Sequence, residues 1–480
     1  MATRAASTLR QSAALAAALS FVFPGLGQGW TGARRRGLLL ALPILVLIGF
    51  AAGTVMRQGW SRTAGMLLQP EVLIALIVLD VALLAYRAGA ILDAFVLARR
   101  RWPSAARHAP RTAGSVLLAV LLLVTLGMHA GLGYIGFKTY DTITTVFNPV
   151  GTPEPTVVPT PAPSTTGPAT PTAEPRPEPT PQPIWSDDGR LDMLLVGGDS
   201  GPGRSSLRTD TMILLSVDVA SGRAAMFGIP RNLKNVPLPE GPAAAFPGCD
   251  CYPDLLNSLF VYAGQQPQLF RGGEARGYLA LQDAVGEMTG LSLDGMLVVT
   301  LHGFVRLVDA LGGVDINAPY ALYDANYPHE DGTHAEEIYF PPGAQHLDGH
   351  DALAYARSRH QDTDYDRMWR QQHVLRALRS QVNPCSLVLR IPELLDIARD
   401  SLWTNLPVNQ LPDLLALANH VRTDQITSHQ FWPPTISESL DARSLVLIRD
   451  MVVDPWQPLP SATPRPSGAP TPTEDPGGFC

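Results

Sequence analysis

Three long apolar segments at the start of the chain, followed by a proline-rich stretch, constrain its fold more than any other feature. Gly37–Met56 and Thr112–Phe137 contain no acidic or basic residue except one histidine. Val72–Ala98 is apolar apart from three charged residues. Each segment is long enough to cross a bilayer, which takes ~20 residues in a helix. We therefore predict an α-helical membrane domain over residues 31–140, with about three transmembrane helices.

The middle segment contains the charged residues Asp80, Arg87 and Asp93. In a helix, Asp80 and Arg87 lie about two turns apart on one face, so we expect an ion pair between them. Charges inside a membrane often serve a function. Packing among three helices explains them equally well.

Arginines at the ends of the apolar segments indicate the orientation. They occupy positions 34–36 and are frequent at 99–111, whereas the loop between the first two segments has only two. Because arginine-rich flanks stay in the cytoplasm, we predict a multi-pass protein of the cell membrane. Its N-terminus is cytoplasmic, and the chain after Lys138 is extracytoplasmic. Residues 1–30 form a cytoplasmic or re-entrant segment, since the apolar run Ala13–Leu26 is too short for a safe span.

A proline- and threonine-rich stretch separates the apolar part from the remainder. Asn148–Pro183 has a proline at roughly every third residue, and such a composition cannot bury a core and favours polyproline II. At ~3.1 Å per residue the stretch extends on the order of 100 Å. We predict a linker over 141–185, a globular domain over 186–456 and a disordered proline-rich tail over 457–480.

The cysteines agree with an extracytoplasmic domain, where thiols tend to pair. Cys249 and Cys251 lie in a loop rich in Gly and Pro, and Cys385 follows a predicted helix. We favour a disulfide between this loop and Cys385, with Cys251 as the partner. A Cys249–Cys251 disulfide is the alternative. The spacing lacks the paired cysteines of a structural zinc site.

Strand and helix patterns are mixed along the globular domain, which predicts an α/β sandwich. The predicted strands are 191–197, 211–219, 223–229, 296–301 and 314–316. The predicted helices are 277–288, 304–311, 351–359, 365–382, 392–401, 412–420 and 442–451.

Acidic residues stand at the ends of the first two predicted strands. Asp199 follows the first strand, and Arg208 and Asp210 open the second. A hairpin return would bring both carboxylates to one edge of the sheet, where they could hold a hard cation such as Mg²⁺. Arg208 beside them suits a phosphate. Aspartate at a strand end is, however, more often a turn residue.

An arginine cluster stands out because the net charge of the chain is −7. Four arginines fall within fourteen residues: Arg357, Arg359, Arg367 and Arg370. The guanidinium group presents a planar donor fork that matches phosphate and carboxylate oxygens. Gln371 shares a helix face with Arg367, and Arg231 follows the third predicted strand. Surface ion pairs explain the cluster equally well by themselves. Its grouping with acids at strand ends favours an anion site.

Two catalytic patterns are excluded by their context. Gly198-Asp199-Ser200-Gly201 imitates a protease nucleophile motif, but the nearest histidines before it, His108 and His129, lie in or beside the membrane segments. His346 and His350 are four residues apart, as in helical zinc proteases, but Gly349 and the absence of the glutamate exclude that motif.

Several short blocks, in their order along the chain, together resemble the LytR-CpsA-Psr family of bacterial cell-wall glycopolymer transferases. The resemblance covers about Leu191 to Gln381. The blocks are Gly198-Asp199-Ser200, Arg208-Thr209-Asp210-Thr211, Ile229-Pro230-Arg231, Leu256-Asn257, Gly312-Gly313-Val314-Asp315, Gly343 to Leu347, Ala352 to Arg359, and Asp362 to Gln372. The resemblance implies an α-β-α sandwich that lies outside the membrane.

The resemblance also implies a reaction and its partners. Members transfer a phosphate-linked glycopolymer from a polyprenyl-diphosphate carrier to peptidoglycan, with Mg²⁺ or Mn²⁺ assisting. The partners implied are the lipid-linked polymer, peptidoglycan and the membrane, and no nucleic acid. A polyprenyl-diphosphate phosphatase and a non-catalytic wall-binding or regulatory homologue are the alternatives.

Roles for single residues follow from the same resemblance. Asp199 and Asp210 would hold the metal, and Asp364 is a candidate general base. Arg208 and Arg231 would be catalytic as well as phosphate-binding. The diphosphate-binding set is Arg208, Arg231, Arg357, Arg359, Arg367 and Gln371. The chain departs from the family pattern at Asn232, usually Asp, and at Leu255, often Lys.

Overall fold

A computed structural model describes residues 12–102, 111–147, 183–185, 187–198, 209–329, 334–359, 363–381, 390–433 and 435–456. Its contacts divide the chain into two compact units. The first covers the chain to Thr144, and the second covers most of the remaining residues. The predicted linker core and the predicted tail lie outside the described residues.

The first unit is built of helices. They are α1 (Ala13–Val22), α2 (Leu26–Trp30), α3 (Arg34–Gln58), α4 (Trp60–Leu67), α5 (Pro70–Arg101) and α6 (Arg111–Val146). Of these, α3, α5 and α6 are long and apolar enough to cross a membrane, as the sequence predicted. Helix α6 continues past residue 140, where we expected the linker to begin.

Polar contacts in the first unit differ from the expected ion pair. Asp80 Oδ1 lies 2.7 Å from His129 Nδ1 on α6, and Arg87 Nη2 donates to the carbonyl of Phe21 at 2.7 Å. The predicted Asp80–Arg87 pair is therefore wrong. Helix α1 ends at Val22, so the carbonyl of Phe21 in its last turn is available to Arg87, and a histidine on the neighbouring helix pairs with the carboxylate of Asp80.

The second unit is organised around a six-stranded mixed sheet. The strands of this unit are β1 (Arg190–Gly198), β2 (Thr209–Asp218), β3 (Ala224–Gly228), β4 (Val236–Pro237), β5 (Cys251–Tyr252), β6 (Gly295–Thr300), β7 (Val314–Ala318), β8 (Leu322–Pro328), β9 (Ala335–Phe340), β10 (Gly343–Leu347), β11 (Leu402–Thr404) and β12 (Ile426–Gln430). The order in the main sheet is β11-β6-β1-β2-β3-β12. Strands β1, β2 and β3 form an antiparallel meander, while β6 and β12 pair in parallel with β1 and β3. Two-stranded pairs β4–β5, β7–β10 and β8–β9 complete the unit.

Helices cover both faces of this sheet. The helices that follow β1 in the chain are α7 (Glu240–Ala243), α8 (Leu256–Gly264), α9 (Arg276–Thr289), α10 (Leu301–Leu311), α11 (Gly349–Arg357), α12 (Asp364–Gln381), α13 (Ile391–Ser401), α14 (Leu411–His420) and α15 (Ala442–Val453). Of α14, residues Leu411–Ala416 belong to the first unit. Side chains of α8, α9 and α15 form one core with one sheet face. Helix α12 packs on the other face. The result is the expected α-β-α sandwich.

Alternation along β3 shows how the two faces are separated. Phe227 is fully buried and stacks on His429 and Phe431, within the core beneath α9. The next residue, Gly228, faces the opposite way: a Cβ there would lie 2.7 Å from the Met368 side chain of α12. This close approach brings α12 against the end of β3.

Helices α10 and α11 pack closely because of another glycine. A Cβ on Gly349 would lie 2.1 Å from the carbonyl oxygen of Val305. Gly349 also donates its N–H to Asp309 at 2.7 Å, and Asp348 caps α11 by accepting from Asp351 N–H. The start of α11 is thus fixed, and with it the direction in which the helix ends at Arg357.

The predicted helices and all five predicted strands are confirmed, with ends shifted by a few residues. Sequence patterns missed the short strands β4 and β5, the helices α7 and α8, the hairpin β8–β9 and the strands β10, β11 and β12. The disulfide is corrected: Cys249 pairs with Cys251, with 5.0 Å between their Cα atoms, which lies within the ordinary range. Asp250 between them adopts a positive φ that closes the loop. Cys385 lies outside the described residues.

Candidate functional site

A cavity of about 520 Å³ opens at the edge where β2 begins and β3 ends. Since the two strands are antiparallel neighbours, Asp210 at the start of β2 and Arg231 after β3 meet there. Helices α11 and α12 and hairpin β8–β9 supply the other walls. The lining residues are Asp210, Arg231, Asp324, Asn326, Tyr327, Pro328, Arg357, Ser358, Arg359, Asp364 and Arg367.

Asp210 is held by three neighbours. Its Oδ1 accepts from Arg231 Nη1 at 2.7 Å and from Asn257 Nδ2 at 3.2 Å. Its backbone carbonyl accepts from Arg367 at 3.2 Å. Burial alone raises the pKa of Asp210, but the charge and hydrogen bond of Arg231, with smaller help from Asn257 and Arg367, outweigh it and lower the pKa below 3.8. The carboxylate is therefore ionised at neutral pH.

Asp364 is the counter-ion of three arginines. Its oxygens lie 2.9 Å from Arg367, 3.5 Å from Arg231 and 3.7 Å from Arg359. These three guanidinium groups come from β3's end, from the segment after α11 and from α12. A single carboxylate at the first residue of α12 thus draws them together, and we call Arg231, Arg357, Arg359 and Arg367 the arginine clamp.

The clamp arginines differ in exposure. Arg367 is 2% exposed, and burial lowers its pKa to about 10 in spite of Asp364, so it remains charged at neutral pH. The Arg359 side chain is 49% exposed and has room to turn toward a ligand. Arg231, at 18%, lies between these extremes. The clamp therefore combines fixed and movable donors.

Arg370 supports the clamp from outside the cavity. It is fully buried, donates from Nε to the carbonyl of Tyr355 at 2.7 Å, and donates from Nη2 to the carbonyl of Ser358. These carbonyls flank the end of α11, where no further helical turn satisfies them. Arg370 thereby fixes the segment that presents Arg357 and Arg359.

Hairpin β8–β9 forms the opposite wall. Buried Asp324 accepts a hydrogen bond from Ser358 Oγ at 2.8 Å. Arg357 donates to the carbonyl of Pro328 at 3.2 Å and lies over the ring of Tyr327. These contacts join the hairpin to the end of α11. The Asp331-Gly332 pair between two aromatic-rich runs was the sequence signal for this hairpin.

The structure brings together five of the predicted site residues besides Asp210: Arg231, Arg357, Arg359, Asp364 and Arg367. Gln371 does not line the cavity; it donates to Thr211 Oγ at 2.9 Å and so fixes the start of β2. Asp199 and Arg208 lie outside the described residues. Gly198 at the end of β1 pairs with Thr209 at the start of β2, so the chain leaves and re-enters the sheet at the cavity edge.

The blocks along the chain match a known family. A sequence model of the LytR_cpsA_psr family matches residues 165–446, more than half of the chain. The chain belongs to the LytR_cpsA_psr family. The match extends beyond the region 191–381 in which we recognised the resemblance.

Relatives in the family include proteins named for cell-wall assembly. The chain is 27% identical over 224 residues to the polyisoprenyl-teichoic acid–peptidoglycan teichoic acid transferase TagU of Halalkalibacterium halodurans, covering 46% of this chain and 63% of that protein. It is 26% identical over 337 residues to TagU of Oceanobacillus iheyensis, covering 69% and 87%. It is 28% identical over 257 residues to the cell wall biosynthesis protein LcpA of Corynebacterium glutamicum, covering 49% and 48%.

Solved structures also resemble this chain. The crystal structure of TagV from B. subtilis matches with a TM-score of 0.40 and 20% identity, covering 57% of this chain and all of that one. TagT bound to LIIa-WTA matches with a TM-score of 0.38 and 19% identity, covering 56% and 91%.

Arg370→Lys tests the support beneath the clamp. An ammonium group cannot reach both carbonyls with the geometry of a guanidinium, so one buried carbonyl loses its partner at a cost of ~1–3 kcal/mol. We expect a clear fall in the unfolding midpoint of the full chain in detergent. Arg359→Ala, in the exposed part of the clamp, should leave that midpoint nearly unchanged. Equal stability of wild type and Arg370→Lys would contradict the supporting role.

Asp210→Asn tests the charge balance through pH. Because the pKa of Asp210 is lower in the folded state than its unfolded value of 3.8, ionisation stabilises the fold above that pH, and the stabilisation is lost as the pH falls through the folded value. The stability difference between wild type and Asp210→Asn should therefore be steady near neutral pH and shrink in acid. In an Arg231→Met background the burial of Asp210 is no longer offset by Arg231, so this pH dependence should weaken or reverse in sign. If the stability difference between wild type and Asp210→Asn did not change with pH, the proposed effect of Arg231 on the pKa of Asp210 would be refuted.

Proposed function

We propose that this protein transfers a phosphate-linked glycopolymer from a polyprenyl-diphosphate carrier to peptidoglycan, forming a phosphodiester. The observation that carries the proposal is the convergence of four arginines from separate elements in one cavity of a family whose named relatives are teichoic acid–peptidoglycan transferases. Because the chain spans 63% of the first of these relatives and 48% of LcpA, its own donor, acceptor and polymer are part of the proposal.

The arginine clamp suits a diphosphate. Two phosphoryl groups present several anionic oxygens, and each guanidinium offers paired donors to them. In the structure Asp210 and Asp364 take up part of this donor capacity. Arg359, being half exposed, is the donor best able to leave Asp364 for a phosphate oxygen. Arg367 and Arg231 stay in place and define where the negative charge is received.

The reaction exchanges one P–O bond for another. A hydroxyl oxygen of the wall sugar attacks the phosphorus that bears the polymer, and the bond to the bridging oxygen of the diphosphate breaks. The lipid leaves as a monophosphate, and the hydroxyl proton goes to a base. Such a transfer needs positioning and charge stabilisation rather than covalent catalysis. Arg231 and Arg367 are placed to stabilise the charge that develops on the phosphoryl oxygens.

Asp364 was a candidate for the base. Its three arginine contacts support a second role, in which it positions the clamp before the substrate arrives. Both roles are compatible in one residue, since a substrate that draws Arg359 away leaves Asp364 with fewer partners. The assignment as general base stays a proposal.

We also propose that Asp199 and Asp210 hold Mg²⁺ or Mn²⁺. The donor chemistry of Asp210 fits: it is an ionised carboxylate, and hard cations prefer such oxygens. Asp199 directly follows Gly198 in the sequence, and Gly198 pairs with Thr209 at the edge of the sheet, which supports a shared role for the two carboxylates. A bound divalent cation would neutralise charge on the diphosphate oxygens.

The three apolar helices support a matching topology. We propose that α3, α5 and α6 span the cell membrane with the arginine-rich flanks inside. The second unit then lies on the extracytoplasmic side, where both lipid carrier and wall are found. The proline-rich linker would let the domain move between them.

The direct test is transfer by the full chain in detergent. With a polyprenyl-diphosphate-linked sugar, Mg²⁺ and peptidoglycan fragments, we expect sugar phosphate to appear on peptidoglycan. Arg231→Ala should lower kcat by about 100-fold, as for other groups that stabilise transition-state charge. Arg422→Ala, an exposed arginine paired with Asp424, is the matched control and should retain activity. Release of sugar phosphate into solution without transfer would replace the proposal with a phosphatase, and no reaction of the carrier would favour a non-catalytic role.

Chelation tests the metal. Removal of divalent cations should abolish transfer, and added Mg²⁺ or Mn²⁺ should restore it. Asp210→Asn should bind Mg²⁺ more weakly in a direct titration of the chain, a readout that does not depend on turnover. Full transfer in the presence of excess chelator would refute the proposal that a divalent cation is required.

A further inference from the structure

A second polar cluster lies at the end of hairpin β8–β9, outside the residues that line the cavity. His329 follows β8, and His334 precedes β9. Their backbones are joined by a hydrogen bond from His329 N–H to the His334 carbonyl at 3.1 Å. Glu336 is two residues after His334, so the two side chains share one strand face. The turn thus gathers two imidazoles and a carboxylate from within eight residues.

The ligand atoms are close enough for one ion. One nitrogen each of His329 and His334 and one oxygen of Glu336 all lie within 4.8 Å of one another. Zinc bonds of ~2.0–2.1 Å place tetrahedral ligands ~3.4 Å apart. Because the rings of His329 and His334 are stacked, one ring must turn so that both nitrogens point at the ion, and the exposed His334 side chain can rotate without disturbing a core.

A third histidine organises the carboxylate. His350, on the first turn of α11, has its Nε2 2.8 Å from Glu336 Oε1. Its ring stacks on His329, with 5.0 Å between centroids, and His329 in turn stacks on His334 at 4.6 Å. Oε1 of Glu336 is buried, and its contact with His350 is an ion pair when His350 is protonated but does not have the geometry of a hydrogen bond. A hydrogen bond therefore does not account for the position of this carboxylate among three imidazoles.

We propose that His329, His334 and Glu336 form a binding site for a divalent transition metal, with Zn²⁺ as the fitting ion. Imidazole and carboxylate together suit zinc, whereas Mg²⁺ prefers oxygen ligands alone. Three protein ligands leave a fourth position for water. His350 acts as a positioning residue that orients Glu336. The site is distinct from the proposed magnesium site at Asp210.

The proposed metal site lies next to the cavity, so a bound ion would affect the cavity wall. Tyr327 and Pro328, which line the cavity, directly precede His329. His350 and Arg357 lie on the same helix, and Arg357 bonds to Pro328. A bound ion would join the end of β8 to the start of β9 and hold this part of the cavity wall in one arrangement. The sequence paired His350 with His346 in a motif that was rejected. In the proposed site His350 instead contacts residues of the hairpin, Glu336 and His329.

The test is a Zn²⁺ titration of the full chain, purified without a histidine tag, against a chromogenic chelator in excess Mg²⁺. We expect about one Zn²⁺ per chain at the three-ligand site. His334→Ala and Glu336→Gln should each weaken binding by at least about tenfold, and His350→Gln by about 10–100-fold, the usual effect of removing an orienting partner. His302→Ala, an exposed histidine on α10, is the matched control and should bind as wild type does.

Two outcomes would overturn the proposal: no stoichiometric Zn²⁺ binding in excess Mg²⁺, or unchanged affinity in His334→Ala and Glu336→Gln. Cobalt provides a check that does not depend on affinity. Co²⁺-loaded wild type should show visible absorption of a nitrogen- and oxygen-ligated ion, and His334→Ala should change that spectrum. Because the readouts are metal binding and spectra, they are unaffected by whether the chain transfers a glycopolymer.

Discussion

The buried guanidinium of Arg370 is the interaction on which the candidate site depends. It has no exposure to solvent and holds the carbonyls of Tyr355 and Ser358 at the end of α11. A buried charge is tolerated only when hydrogen bonds replace its hydration. Here the replacement comes from the backbone of a different helix. Burial of one arginine therefore fixes the relative placement of α11 and α12, and with it the positions of Arg357, Arg359 and Arg367.

Two glycines make this arrangement possible. Gly228 lets α12 approach the end of β3, and Gly349 lets α11 start against α10. Neither position is explained by backbone conformation; each is a place where a side chain would occupy the space of a neighbour. Close packing transmits such contacts with little slack. The two glycines thus set the positions of α11 and α12, which carry Arg357, Asp364 and Arg367, while hairpin β8–β9 and the segments after β3 and α11 supply the rest of the cavity wall.

The sequence was sufficient for the parts of the fold that depend on local patterns. The apolar segments, the meander β1–β3 and the helices carrying Arg357 and Arg367 follow from periodicity and turn residues. Hairpin β8–β9 was missed because polar residues are frequent in both of its strands, so the alternation of apolar and polar positions is weak. The roles of Arg370 and Gln371 could not be separated from those of Arg359 and Arg367 by spacing. Residues on one helix face share a direction, but the neighbour that each meets is set by tertiary packing. The predicted disulfide was wrong for a related reason. Two cysteines separated by a single residue can pair only if the loop turns sharply, and the positive φ of Asp250 that provides this turn does not follow from the sequence pattern.

The position of Asp364 affects how the site would bind an anion. A cluster of guanidinium groups without a counter-ion would be held apart by mutual repulsion, and the empty cavity would differ in shape from the filled one. Asp364 pairs with three of these arginines, so they are already assembled in the structure. Under the proposed function, a phosphate would replace this carboxylate as their partner, and the carboxylate would return to the same arginines when the product leaves. Under the proposed function, Asp364 would thus help both the binding of an anion and the return of the site to its starting state.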